Sequence, residues 1–374
     1  MEEIDQARSP RLEDLSLKVA RHRAFWDRSA CDRPLVGFWL GGYFPLAGVK
    51  GLFDHPYLLP EQIEPEQLLS SLLRHLQQAW RASGDLFPVA TPLFGLPWLE
   101  AIIGCPIVAS LQSETIWAEP LGTDFPDADQ LRERALSPRN TWTVKLRQCL
   151  QVLAEALRGT TPFGTPILRG PTDLMAALMG GTAMVLALQD RPEESVRLLD
   201  VLADIWTQVA GSILDFVPRF QGGYGCFRGV WAPGRTAILQ EDASAVLSPQ
   251  LYERLVLARD RRILAEFPFA MMHNHSSNLG IMVEGLTGSD ALAAFELTVD
   301  PPPAPCLRSL LPILRKIQEN KPLVVFGSLN EQDLEVLSGE LSPSGLAICV
   351  EVESIEEAAR LKRRFGGTAE PNCD

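Results

Sequence analysis

Paired cysteines, a membrane-length apolar run and a surplus of positive charge are all missing from this 374-residue sequence. Its seven cysteines, at 31, 105, 149, 226, 306, 349 and 373, show no CxxC and no paired spacing. An odd, scattered set of this kind fits reduced thiols in a cytoplasm rather than a disulfide framework. No uncharged apolar run reaches the roughly 18 residues of a membrane span. Residues 1–17 alternate acids, bases and polar groups around no apolar core, so a signal peptide is not expected. Lys and Arg number 34 against 47 Asp and Glu, a formal charge of −13. That balance argues against nucleic acid or an anionic membrane as partner, and against a highly anionic substrate unless basic residues cluster locally. Neither GxGxxG nor GxxxxGK[ST] follows any apolar run, which removes the usual phosphate cradles. No internal repeat and no low-complexity linker divides the chain.

What is present describes a protein with a large core, 46% hydrophobic and only 22% charged. The length suits one large α/β barrel or two ordinary domains. Short apolar runs alternate with amphipathic stretches, the pattern of parallel β/α units. Eight runs read as strands: Leu35–Leu40, 86–90, 166–168, 237–240, 269–272, 294–299, 323–326 and Leu346–Val352. Helices are expected over 65–83, 141–158, 193–217, 249–266, 304–320 and 355–364. Ser248-Pro249 supplies one helix start, and Ser354 answered by Glu357 reads as a capping box at another. Eight strands with intervening helices predict a (β/α)8 TIM barrel with long loops at its C-terminal face. A doubly wound sheet is the competing architecture, but it lacks its glycine fingerprint here. The expected organisation is an N-terminal helical extension (1–30), a barrel (31–365) and a tail (366–374), with 21–27 helical. Segments 41–64, 92–138 and the Gly-rich 221–235 carry the excess length and read as walls or a lid.

Two of the five histidines, His273 and His275, stand two residues apart where an apolar run meets a polar turn. Side chains two apart on a strand share a face, so both imidazoles converge at the carboxyl end of 269–272. The arrangement suits two ligands on one metal ion, a ligand with an acid/base partner, or simply a capped polar loop. Glu241 and Asp242 end another apolar run; Asp242 can orient substrate, accept a proton or cap the following helix. Arg169 can bind a substrate carboxylate or pair with Asp173. Glu296, between apolar neighbours, faces either the lumen or a helix. Asp300-Pro301-Pro302-Pro303 reads as a rigid turn, and 221–226 as a turn or hairpin. Tyr43, Phe44, Phe94, Trp98, Trp117 and Trp231 lie in or beside the long loops, as packing or as walls of an apolar pocket.

Several segments, in order, resemble the uroporphyrinogen decarboxylase superfamily. They are Leu168-Arg169-Gly170-Pro171-Thr172-Asp173-Leu174, then Gly180-Gly181, Asp190-Arg191-Pro192-Glu193, Gln240-Glu241-Asp242-Ala243-Ser244 and Leu247-Ser248-Pro249. His273-Asn274-His275, Asp300-Pro301 and Phe326-Gly327-Ser328-Leu329-Asn330 follow, and the resemblance spans roughly residues 31–365. It implies a barrel and one of two chemistries. The first is cofactor-free decarboxylation of uroporphyrinogen; the second is zinc-dependent methyl transfer between a corrinoid protein and a thiol. Members are often dimers, so a homodimer is among the expected states.

True decarboxylases of this superfamily carry an RQAGRY loop after the first strand. Here the stretch reads Gly37-Phe38-Trp39-Leu40-Gly41-Gly42-Tyr43, without the paired arginines. A substrate with eight carboxylates needs several buried cationic partners, so tetrapyrrole decarboxylation is disfavoured. The corrinoid-dependent methyltransferases resemble the chain more closely in chemistry. Their zinc site is H-x-C plus a cysteine on the eighth strand. His273 matches that histidine, His275 stands in the cysteine's place, and Cys349, or Glu351 on the same strand face, is the implied third ligand. Asp242 matches an acidic strand-end position of the family. The resemblance thus implies a zinc enzyme for a small or methylated substrate, partnered by a corrinoid protein. A metal-independent decarboxylase using Arg169 and Asp242, and a non-catalytic ligand-binding barrel, remain the alternatives.

Overall fold

Mostly apolar runs of two to seven residues separated by helices build a parallel sheet in the computed structural model. The structure describes residues 12–41, 49, 51, 54–93, 95–110, 112–302 and 304–365. Its main sheet has seven strands: β1 (Leu35–Leu40), β2 (Leu168–Arg169), β3 (Ile238–Gln240), β4 (Met271–His275), β5 (Ala294–Thr298), β6 (Leu323–Gly327) and β7 (Leu346–Val352). They are ordered β1-β7-β6-β5-β4-β3-β2, and every neighbouring pair is parallel. Alternation sorts the side chains. Val36, Phe38, Leu239, Met272, Phe295, Val325 and Ile348 join the large core under the helices. Leu35, Ile238, Met271, Ala294, Val324, Ala347 and Cys349 form a separate cluster on the other face. Residues from β1 and from β3, far apart in the strand order, meet in that second cluster, so the sheet curls around it. The architecture is compatible with a barrel-like α/β fold.

The expected strand over 86–90 is corrected to an extended segment with one parallel bridge, Ala90 to Phe163. Pro88 has no N–H to give a ladder, and Phe87 donates instead to the Gly229 carbonyl at 2.8 Å. The segment nonetheless bonds to the β1 edge of the sheet and to the chain that leads toward β2. Asp85 donates to the Val36 carbonyl at 2.8 Å, and Ala90 to that of Pro162 at 2.9 Å. Pro162 and Pro166 likewise restrict the next expected strand to Leu168–Arg169. Contact with β1 is close enough to require glycine: a Cβ on Gly37 would lie 2.5 Å from Leu86 Cγ and 2.6 Å from the Ser83 carbonyl oxygen.

Helices Pro65–Ala82, Thr141–Leu157, Pro192–Phe216, Leu307–Asn320 and Ile355–Phe365 lie close to their expected bounds. The helix expected over 249–266 divides at Val256 into Pro249–Leu255 and Leu257–Ala265. The Ser354 box is half made: Ser354 Oγ accepts from Glu357 N, but the Glu357 carboxylate accepts from Glu353 N. The long insertion 92–138 carries helix Trp98–Ile103, an antiparallel hairpin (Ile107–Ser110 with Thr115–Ala118) and helix Ala128–Ala135. At the amino-terminal end of the strands, helix Leu12–Trp26 sends Phe25 into the cluster that holds Leu35. His22 on the same helix is fully buried between the Asp85 carbonyl and the Trp231 N–H, each at 2.9 Å. Among the described residues no single helix is long and apolar enough to cross a membrane.

Candidate metal centre

Met271 and Met272 bury β4, and the polar residues that follow bring its carboxyl end to the mouth of the sheet. His273 and His275 share the face of Met271. Their rings lie 4.8 Å apart and nearly perpendicular, at 88°. Each is held from behind by a carboxylate. His273 pairs in register with Glu296 on β5, and its Nδ1 donates to Glu296 Oε2. Glu296 is wholly buried, and its other oxygen accepts from Arg228 Nε at 2.9 Å and from Thr298 Oγ1 at 3.1 Å. Burial alone would raise this carboxyl, but Arg228 and then His273 outweigh it and bring it down to about 2. Glu296 is therefore an ionised acceptor. The proton of the shared bond sits on Nδ1, and a neutral ring presents a bare Nε2.

His275 repeats the device in a more open setting. Its Nδ1 donates to Asp300 Oδ1 at 2.5 Å. Asp300 Oδ2 accepts from the Ser277 N–H at 3.1 Å and from the Ser277 hydroxyl at 2.8 Å. Burial works upward on Asp300, but the bonds from His275 and Ser277 win and lower it. The turn expected at Asp300 is thus also the anchor of the His275 ring.

With both Nδ1 atoms engaged, both Nε2 atoms face Asp242 just beyond β3. Asp242 Oδ1 lies 3.8 Å from His273 Nε2 and 3.6 Å from His275 Nε2. One ligand atom from each of Asp242, His273 and His275 falls within 4.8 Å of the others. Asp242 is positioned from two sides. Gln240 Nε2 donates to its Oδ2, and Asp173 accepts from the backbone N–H groups of Asp242 and Ala243 at 3.0 and 2.7 Å. Burial, and then the charge of Asp242, pushes the Asp173 carboxyl up to about 8. Glu241 points the other way and accepts from Thr172.

The third member of the cluster differs from the one expected. Cys349 is enclosed by apolar side chains, and burial pushes its thiol up to about 12, away from the thiolate a metal requires. Glu351 is exposed and accepts from Ser328 Oγ at 2.9 Å. Both sit on β7, three strands from β4, whereas β3 is its neighbour and pairs Gln240 with His273. Neighbouring strands are about 4.8 Å apart, so the strand order selects Asp242. Arg169 donates to Glu100 Oε1 at 2.9 Å rather than pairing with Asp173. Glu100, on the helix of the long insertion, is 2% exposed. Burial lowers the Arg169 guanidinium but Glu100, and then Asp173 and Asp242, leave it raised overall.

Other side chains missed or left open in the sequence now have places. Glu296 faces inward. Arg228 comes from the Gly-rich segment, which forms the short hairpin Tyr224–Gly225 with Trp231–Ala232. An arginine directly after Phe227, the one charge between residues 224 and 232, is the signal that could have revealed it. Trp98 and Trp231 are fully buried packing residues, and Trp117 is 40% exposed on the insertion hairpin. Tyr43, Phe44 and Phe94 lie outside the described residues.

The three donors fit a divalent metal. His273 Nε2 is buried and has no hydrogen-bond partner in the protein, an arrangement that costs free energy unless something else meets the lone pair. Two imidazoles, each backed by a carboxylate, and one carboxylate oxygen form an open donor set of the kind that binds zinc or another first-row metal. No family model matches the chain, and no curated protein matches its sequence. Among solved structures, a methyltransferase from Methanosarcina mazei superposes with a TM-score of 0.60 over 93% of this chain and 98% of its own, at 12% identity. The chain therefore shares its fold with that methyltransferase.

Proposed function

We propose that this chain is a metal-dependent enzyme of methyl transfer, built on a closed (β/α)8 barrel of the uroporphyrinogen decarboxylase kind. His273, His275 and Asp242 would hold zinc, and a corrinoid protein would exchange the methyl group. The observation that carries the reading is the buried, unpartnered Nε2 of His273 converging with His275 and Asp242. The shared fold with a methyltransferase supports methyl transfer over other metal chemistry.

When bound, zinc lowers the pKa of a coordinated thiol or water and so supplies a nucleophile at neutral pH. The protein's own groups do the rest. Glu296 and Asp300 fix each ring with Nε2 outward, and the Asp173 carboxyl group seats the backbone of Asp242. Imidazole and carboxylate in place of the superfamily's thiolates make the donor set less electron-rich. That favours a small, uncharged or methylated substrate over a strongly nucleophilic thiol.

Decarboxylation of a small acid is the second reading. Its difficulty is that Arg169 and Arg228, the cations at the inner face, already serve Glu100 and Glu296. Metal analysis separates the two. The purified protein should take up close to one zinc per chain and lose it in His273→Ala and His275→Ala. The metal-loaded protein should also demethylate methylcobalamin in the presence of a small acceptor. A protein that takes up no zinc, cobalt(II) or iron(II) would rule the metal reading out.

A further inference from the structure

We infer that Arg228 is a positioning residue for the metal centre, acting through Glu296 to hold His273 as its fixed arm. The inference rests on the metal reading above. A fully buried carboxylate must be compensated where it sits. Arg228 supplies the compensation from outside the strands, reaching in from the hairpin loop with its own side chain 10% exposed. Its guanidinium lies 3.6 Å from the centre of the Phe326 ring and 4.9 Å from that of Phe227, so aromatic faces restrict its motion.

The bonding divides the two oxygens of Glu296 between two tasks. Oε1 accepts from Arg228 Nε and from Thr298 Oγ1, and Arg228 Nη2 also donates to Thr298 Oγ1 at 3.0 Å, closing a triangle. Oε2 is left for His273 Nδ1 alone. The carboxylate can neither rotate nor shift without breaking the triangle, so ring plane and tautomer of His273 are set by a residue that never touches the metal position. His275 has no such support. Its anchor Asp300 is 19% exposed and is held by Ser276 and Ser277, without a guanidinium. The two histidines are therefore unequal: His273 is locked from the interior, and His275 is held by a surface turn.

The test uses the full-length protein and cobalt(II) or zinc in competition with a chelator. Wild type should bind, and His275→Ala should not. Arg228→Gln should weaken binding by about 10–100-fold, the usual effect of removing an outer partner of a ligating histidine. Its cobalt(II) absorption bands should shift, and Arg228→Lys should recover part of the affinity. Thr298→Val, which removes one corner of the triangle, keeps the Arg228–Glu296 bond and keeps the volume, should give a smaller loss in the same direction. It also provides the test if Arg228→Gln fails to fold. A folded Arg228→Gln, or a folded Thr298→Val where the former is lost, that binds cobalt(II) with wild-type affinity and spectrum would overturn the inference. Wild type without metal affinity would instead overturn the reading beneath it.

Discussion

His273 donates through Nδ1 to Glu296 across two parallel strands, and its opposite nitrogen faces Asp242 at 3.8 Å with no hydrogen-bond partner. That one relationship orients a buried imidazole in the way metal binding would require, because an ionised carboxylate accepts and leaves the far lone pair free. It also ranks the neighbours of the site. Groups that touch Nε2, or that hold the ring through Glu296, should govern metal binding, and groups elsewhere on the inner face should not.

Asp242 is the first case. Its side chain is 40% exposed, so Asp242→Ala should change stability by no more than about 0.5 kcal/mol. Metal affinity should fall by roughly 100-fold or more, beyond the usual effect of an outer partner. Isothermal titration with zinc measures the second quantity and chemical denaturation the first. An Asp242→Ala protein that keeps wild-type affinity would remove Asp242 from the ligand set.

Cys349 and Glu351 supply the converse. Cys349→Ala should cost about 1 kcal/mol, the ordinary result of trimming a packed core, and leave zinc stoichiometry unchanged. Glu351→Gln should leave both stability and stoichiometry as they are, since its partner is the exposed Ser328 hydroxyl. Loss of metal in either variant would restore β7 as a source of ligands.

Why the sequence led to β7 and not to Asp242 has a physical answer. The period of two along a strand makes His273 and His275 legible as a pair, and the apolar runs of Leu35–Leu40 and Leu346–Val352 match β1 and β7 residue for residue. Which strands stand beside β4 is a property of the sheet order, which no local pattern encodes. Asp242 was visible as a strand-end acid, but its nearness to the histidines depends on β3 pairing with β4. Arg228 acts from a hairpin loop and Glu100 from a short helix in the long insertion, and which site each reaches is set by tertiary contacts. Pro88 was in plain view; its missing N–H is what converts an apolar run into an unladdered segment.

That segment yields a stability prediction. Gly37→Ala places a methyl group 2.6 Å from the Ser83 carbonyl oxygen and 2.5 Å from Leu86 Cγ. Backbone cannot rotate away as a side chain can, so β1 and the 83–86 turn must separate, at a cost of about 1–3 kcal/mol. Gly339→Ala, inside helix Glu331–Glu340 with open space around its Cα, should instead gain roughly 0.5–1 kcal/mol. Urea unfolding of the two variants should move in opposite directions. Equal stability of Gly37→Ala and wild type would mean that the two segments have room to part.

Asp260 gives the pH-dependent test. It is fully buried on helix Leu257–Ala265, where Tyr252 Oη donates to its Oδ2 at 2.6 Å. Its Oδ1 and the Oε1 of Glu241 are both buried without a donor, a need that one proton held between the carboxyls would meet. Burial raises Asp260 from 3.8 to about 7, against the bonds from Tyr252 and Glu241. The folded state thus holds its proton to higher pH than the unfolded chain does. As pH rises from about 4 to about 7, the unfolded chain gives up the proton first and stability falls; above about 7 the loss is complete. The full difference corresponds to at most roughly 4 kcal/mol. Asp260→Asn keeps an acceptor for Tyr252 and cannot ionise. It should therefore be more stable than wild type at pH 8 and gain much less at pH 4.5, measured by urea unfolding at both values. Glu241 is also raised, by burial and then by Asp260, so the difference between the two proteins reports the Asp260–Glu241 pair. The same stability increment at both pH values would show that Asp260 carries no displaced proton equilibrium, and that its burial is compensated by a group other than Tyr252 and Glu241.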